Sequence, residues 1–140
     1  MADDCDNDTD EEPFYEGTYG KVRFAQMSDG SKPASEFWDT MTGRERGKLS
    51  SLFAQATNSP QLQLRNRTKF KSVEGRPSLN EFKVNSEKMR MFCFRMGDSI
   101  YLVHGIRGKK EDKIDPGEVD RAERLMRDAK KVLQRTETTR

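Results

Sequence analysis

The sequence predicts an α+β fold in the order β-α-α-β-β-β-α, a curled antiparallel sheet packed on two helices with a further helix at the C-terminal end, and three observations point to it. Between residues 79 and 106 apolar side chains alternate with a period of two, the repeat of strands. In two other stretches, residues 34–56 and 119–133, they recur at the three-to-four spacing of helix faces. Turn and cap residues fall between these stretches and separate one element from the next.

Taken in order, Lys21 to Met27 alternates Val22, Phe24 and Gln26 with Arg23, Ala25 and Met27, as a short strand does. After the turn Ser28-Asp29-Gly30, Ala34, Phe37, Trp38 and Met41 line one face of a helix whose first turn accommodates Pro33. Thr42 followed by Glu45 has the spacing of a capping box, and Leu49, Leu52, Phe53 and Ala56 continue a second amphipathic helix until Asn58, Ser59 and Pro60. Three strands follow. The first carries Phe82 and Val84, the second Met91 and Cys93 opposite Phe92 and Phe94, and the third Ile100, Leu102, His104 and Ile106 opposite Tyr101 and Val103. Gly97 can take the positive φ that the hairpin turn Met96 to Ser99 requires. Asp115 as N-cap, Pro116 at the first helical position and Glu118 announce the last helix, with Val119, Ala122, Met126, Ala129 and Leu133 as its stripe.

At 140 residues the chain suits one domain, and with 32% apolar and 36% charged residues its core is thin beneath a charged surface. The formal charge of +2 conceals an asymmetry. Every charged side chain in residues 1–16 is acidic, eight in all, which leaves 26 basic against 16 acidic residues from Gly17 onward. Residues 1–16 are therefore expected to be an acidic disordered tail, 17–134 the folded domain, and 135–140 a second disordered tail. So basic a body suits nucleic acid, ribosome or another polyanion, or else a solubilising surface. Cys5 and Cys93 form neither a disulfide framework nor a metal-ligand spacing. With no signal-like start and no apolar run near the ~18 residues a membrane span needs, a cytoplasmic location without membrane partners is expected.

The positive field is concentrated between Arg65 and Lys110, where twelve basic residues face four acidic ones. Lys69, Lys71, Arg95, Arg107, Lys109 and Lys110 are the candidates for holding RNA phosphates, and Phe92, Phe94 and Tyr101 supply rings beside them. Arg90 alternates in step with Phe92 and Phe94, so it points either toward the core side near the strand's end, as an edge arginine reaching for solvent, or toward a concavity; a salt bridge to Glu74 or Glu81, with Lys83 on the opposite face, would favour binding without cleavage. His104, the single histidine, is either a hydrogen-bonded core residue or a proton donor to a leaving oxygen. The absence of a phosphate-binding glycine loop, of paired cysteine motifs and of a two-histidine helix argues against nucleotide hydrolysis and zinc chemistry. No metal and no cofactor is expected.

Leu79-Asn80-Glu81-Phe82-Lys83-Val84, then Met89-Arg90-Met91-Phe92-Cys93-Phe94, then Ile100 to Ile106 with Lys109-Lys110, resembles the sheet of the RelE toxin superfamily, especially its phage-derived, HigB-like members. The likeness extends in element order over residues 18–133. It implies a RelE-like domain and the toxin of a toxin-antitoxin system: an endoribonuclease that cleaves messenger RNA, usually on the ribosome, by attack of a 2′-hydroxyl. The implied catalytic residues are Arg90, stabilising the phosphorane charge, Lys83, orienting or activating the 2′-hydroxyl, and His104 as acid; Lys109 and Lys110 would hold phosphates. The implied partners are messenger RNA, the ribosome and a helix-turn-helix antitoxin. Two departures stand out: the C-terminus, Arg135 to Arg140, lacks the tyrosine or second histidine of some relatives, and compact toxins mostly lack an acidic extension. The alternative is a catalytically silent RelE-fold module, phage-derived, that binds RNA or protein. The acidic residues 3–12 are read either as a solubility tag or as a segment lying over the basic groove in place of part of an antitoxin.

Overall fold

The computed structural model describes residues 13–62, 69–107 and 115–138, and nine elements run through them. They are β1 (Tyr15–Glu16), β2 (Lys21–Phe24), α1 (Pro33–Asp39), α2 (Gly43–Thr57), β3 (Phe70–Val73), β4 (Arg76–Val84), β5 (Met89–Met96), β6 (Ser99–Arg107) and α3 (Pro116–Thr138), with a short 3-10 turn at Asn85–Glu87. The six strands form one open sheet in the order β1-β2-β6-β5-β4-β3. The α+β class is as expected; the all-antiparallel sheet is not, because β2 runs parallel to β6 while every other pair is antiparallel. The cause is the connection. From β2 the chain crosses one face through α1 and α2, builds β3, β4 and β5 as a meander, and returns as β6 between β5 and β2. A crossover of that length is what parallel neighbours require.

The sheet separates two cores. On one side α1 and α2 bring Ala34, Leu49, Phe53 and Ala56 against Val22, Phe82, Met91, Cys93, Ile100 and Leu102. On the other, α3 lays Val119, Ala122, Met126 and Ala129 on Leu79, Phe92, Phe94 and Val103. The local devices that start the helices are those the residue types imply. Thr42 Oγ1 accepts from Glu45 N at 3.1 Å while Glu45 Oε1 accepts from Thr42 N at 2.9 Å, the reciprocal capping box. Asp115 Oδ1 accepts from Gly117 N at 2.9 Å at the head of α3. Gly97 takes φ +63° in the β5–β6 turn. Gly105 meets a different need: a Cβ there would lie 2.2 Å from the Phe37 ring, so the close seat of α1 on β6 depends on its absence.

Two strands were not expected. β1 pairs Tyr15 with Val22 and Glu16 with Lys21, and Phe14 beside it packs its ring 4.5 Å from Phe24 and 4.8 Å from Trp38, so the ordered chain begins before the expected boundary at residue 17. β3 escapes a period-two reading because its register slips between Ser72 and Val73, leaving Phe70 and Val73 buried three residues apart. At the other end α3 continues past residue 134 to Thr138. Among the described residues no helix is long and apolar enough to cross a membrane. The acidic residues 3–12, with the reading attached to them, lie outside the described residues.

Candidate functional site

The meander places the candidate residues by register. Lys83 of β4 stands opposite Arg90 of β5, which stands opposite Ile106 of β6. On the next rung of the same face Lys71, Glu81, Phe92 and His104 follow across β3, β4, β5 and β6. Glu81, Lys83, Arg90 and Phe92 share the α3 side because Phe82 and Met91, which alternate with them, belong to the α1–α2 core. Lys69 sits just ahead of β3, and its carbonyl accepts from Lys83 N at 2.8 Å. Four strands thus bring Lys69, Lys71, Lys83, Arg90 and His104 to one end of one face. Lys69 and Lys71 are exposed there, Lys83 is half-buried and Arg90 is buried.

His104 reaches this face by a route the alternation hid. In phase with Ile100 and Leu102 it would have entered the α1–α2 core. Instead β6 pairs Leu102 with Cys93 but His104 with Phe92, so that Val103 is an extra residue and every side chain beyond it changes sides. The imidazole stacks on Phe92, ring centroids 6.1 Å apart, and its Nε2 lies 2.7 Å from Oε1 of Glu118 in the first turn of α3. His104 is therefore a largely covered, hydrogen-bonded residue, as in the first alternative, but on the α3 side rather than among Ile100 and Leu102.

Arg90 lies buried on the core side near the start of β5, one of the two placements its phase allowed, but it does not reach for solvent. Its Nη1 donates to Oε1 of Glu81 at 2.7 Å, with the two side chains only 10% and 3% exposed. Of the two carboxylates weighed as its partner, Glu81 is the one that fixes the guanidinium. Strand order selects it over Glu74, since a carboxylate in phase with Lys83 on β4 faces the β5 cation.

The remaining cations are not brought together with these. Arg95 pairs in register with Ile100 on the α1–α2 side and donates to the Gln61 carbonyl at 2.7 Å. Arg107, opposite Met89, also points to that side: its Nε and Nη2 donate to the two Glu45 oxygens at 3.0 Å, its Nη2 to Thr40, and its guanidinium lies 4.7 Å from the Phe37 ring centroid. Arg107 holds the Glu45 carboxyl below the usual range, against the opposing effect of its burial. It is thus a clasp between β6, α1 and the head of α2, not a neighbour of Arg90. Lys109 and Lys110 lie outside the described residues. Cys93 is wholly buried among apolar side chains, which pushes its thiol well above the ordinary range and leaves it unsuited to nucleophilic work.

What this end of the sheet can do is hold anions. Two exposed lysines and one half-buried lysine surround a guanidinium braced by a carboxylate, and an imidazole stands one rung away beside an aromatic ring. No protein-family model matches the chain, and no curated protein matches it.

Proposed function

We propose that the protein is a RelE-type toxin, an endoribonuclease that takes messenger RNA on the α3 side of its sheet beyond the head of α3. The observation that carries this reading is the register that sets Lys83 against Arg90, with Lys71 and His104 across the adjoining rung of the same face. Lys69 and Lys71 attract and align the phosphates, since exposed cations on a rigid strand draw a polyanion in before contact. Lys83 orients the 2′-hydroxyl or takes up its proton. The 2′-oxygen then bonds to phosphorus and the bond from phosphorus to the 5′-oxygen breaks, leaving a 2′,3′-cyclic phosphate and a 5′-hydroxyl. Arg90 stabilises the charge that grows on the phosphorane oxygens, and its brace by Glu81 keeps it from reorganising as that charge develops. His104 gives the leaving 5′-oxygen its proton, with Glu118 holding the ring in place. In this reading a helix-turn-helix antitoxin covers the same face, and the ribosome presents the message.

A second reading is favoured by a specific observation: Arg90 is buried against Glu81, His104 is engaged by Glu118, and Arg95 and Arg107 serve the opposite side. A RelE-like module that binds RNA or protein without cutting fits that arrangement. Induced expression of the wild-type chain and of Lys83→Ala in a bacterial host, with messenger RNA ends mapped, separates the two. Growth arrest with new 5′-hydroxyl ends, relieved by the substitution, is the result expected of the nuclease. Normal growth and no new ends, with soluble protein present, would assign the chain to the silent module.

A further inference from the structure

The inner face of α3 is taken up by packing: Val119, Ala122, Met126 and Ala129 lie against the sheet. At 3.6 residues per turn these four span about 80° of the helix, and Arg121, Arg124, Arg127 and Lys131 span about 120° on the opposite side. All four cations are exposed. Acidic residues would ordinarily balance such an arc, but those between Pro116 and Arg135 are each held by another group. Glu118 bonds to His104, Asp120 and Glu123 to Arg76 of β4, and Asp128 Oδ2 accepts from the Ser28 N–H and hydroxyl at 2.9 and 3.1 Å. Arg127 keeps one bond to the second oxygen of Glu123 at 3.1 Å and remains 69% exposed. By the same spacing Asp120 and Asp128 fall within the arc, but each is engaged by a group of the body, Arg76 and Ser28, and the four cations outnumber them.

The excess of cations over acids on this arc bears on the ligand. From Arg121 to Lys131 the arc runs for about 15 Å along a rigid rod, a spacing suited to successive phosphates of a stiff backbone. Helix α3 contains no Phe, Tyr or Trp, so it lacks the aromatic platforms on which proteins that take single strands stack successive bases. Its apolar stripe is covered by the sheet, so it cannot enter a lipid surface as an amphipathic helix does. We propose that the outer arc of α3 is a second RNA-binding surface, one that takes the phosphate backbone of base-paired RNA. The inference rests on the RNA reading for its choice of RNA over DNA, but it uses residues the sheet-face site does not.

The test is anisotropy of a labelled RNA duplex of arbitrary sequence titrated with the full chain over a range of salt. The comparison variant is Arg121→Gln/Arg124→Gln/Arg127→Gln/Lys131→Gln, which retains helix-forming residues throughout. Duplex affinity is expected to fall about tenfold or more, and the slope of log affinity against log salt to become shallower by up to about 0.9 for each phosphate no longer neutralised. Circular dichroism checks that helix content is kept, and Lys48→Gln, on α2 across the sheet, should bind the duplex as wild type does. Duplex binding within twofold of wild type in the quadruple variant would overturn the proposal. So would equal loss of binding to a DNA duplex, to an acidic peptide or to anionic vesicles that the wild type holds as tightly. If the wild-type chain cuts no RNA but the quadruple variant alone loses the duplex, the nuclease reading fails and this surface stands.

Discussion

Replacing Arg90 with Met tests the brace on which the proposed chemistry depends. The substitution keeps most of the side-chain volume but leaves the Glu81 carboxylate, 3% exposed, facing a thioether in place of its guanidinium partner at 2.7 Å. Removing one member of a buried pair strands the other charge in a medium that solvates it poorly, at a cost of about 3–5 kcal/mol. A domain of this size has roughly 5–15 kcal/mol in all, so Arg90→Met should fold but sit near the edge. Glu81→Leu with Arg90→Met removes both charges and should recover most or all of the loss, because an apolar pair of similar volume is often as stable as the ion pair it replaces. Urea unfolding of wild type, both single variants and the double variant closes the cycle. With a slope of about 2 kcal/mol per molar, the Arg90→Met midpoint should fall by roughly 1.5–2.5 M. A single variant within about 1 kcal/mol of wild type, about 0.5 M in midpoint, would mean that Glu81 and Arg90 are not coupled as the geometry implies.

Gly105→Ala should destabilise the fold by about 1–3 kcal/mol, read as a lower thermal midpoint, because its Cβ would lie 2.2 Å from the Phe37 ring; an unchanged midpoint would show that α1 sits less tightly on β6. Arg107 depresses the Glu45 carboxyl, and Lys21 does the same to Asp98, so both groups are more acidic folded than unfolded. Their contribution is complete above the unfolded carboxylate values near about 4 and is lost as pH falls through the depressed folded values, so Arg107→Gln should lower stability at neutral pH and flatten its decline in acid, measured by urea midpoints against pH. Cys93, with its thiol pushed up by burial, should resist alkylation in the native protein and react once urea unfolds it, followed by mass spectrometry of its peptide.

The parts of this architecture that local chemistry specifies were legible in the residues. Thr42 and Glu45 wrote the head of α2, Asp115 the head of α3, and the alternation around Phe82, Met91 and Phe92 marked the two-sided central strands. What hid the rest was irregularity. The slip at Ser72 and Val73 broke the period of β3, and the extra residue at Val103 moved His104 to the other face while its spacing still matched Leu102. The parallel neighbour relation of β2 and β6 has no local signature at all, since it is decided by where the chain returns. For the candidate site the same division holds. Lys83, Arg90 and Lys71 share a face as their phases allow, and Glu81 was one of two carboxylates in view for Arg90, whereas the choice between those two and Glu45 as the partner of Arg107 follow only from strand order and helix placement. The outward cations of α3 were present as residues; that the helix's carboxylates are engaged by Arg76, His104 and Ser28 emerged only with the fold in place.

The pairing of β2 with β6 also sets a schedule for folding. Val22 rests beside Ile100, more than half the domain away along the chain, whereas β3 to β6 join through successive neighbours. Hairpins can close in microseconds, but a contact between such distant segments must first overcome the entropy of a long loop. During synthesis at about 5–20 residues per second, β2, α1 and α2 therefore wait several seconds with Phe24, Trp38 and Phe53 uncovered until β6 emerges. The last strand to be made seats the first helices, and a chain stopped short of it would present those rings to chaperones or to other unfinished chains.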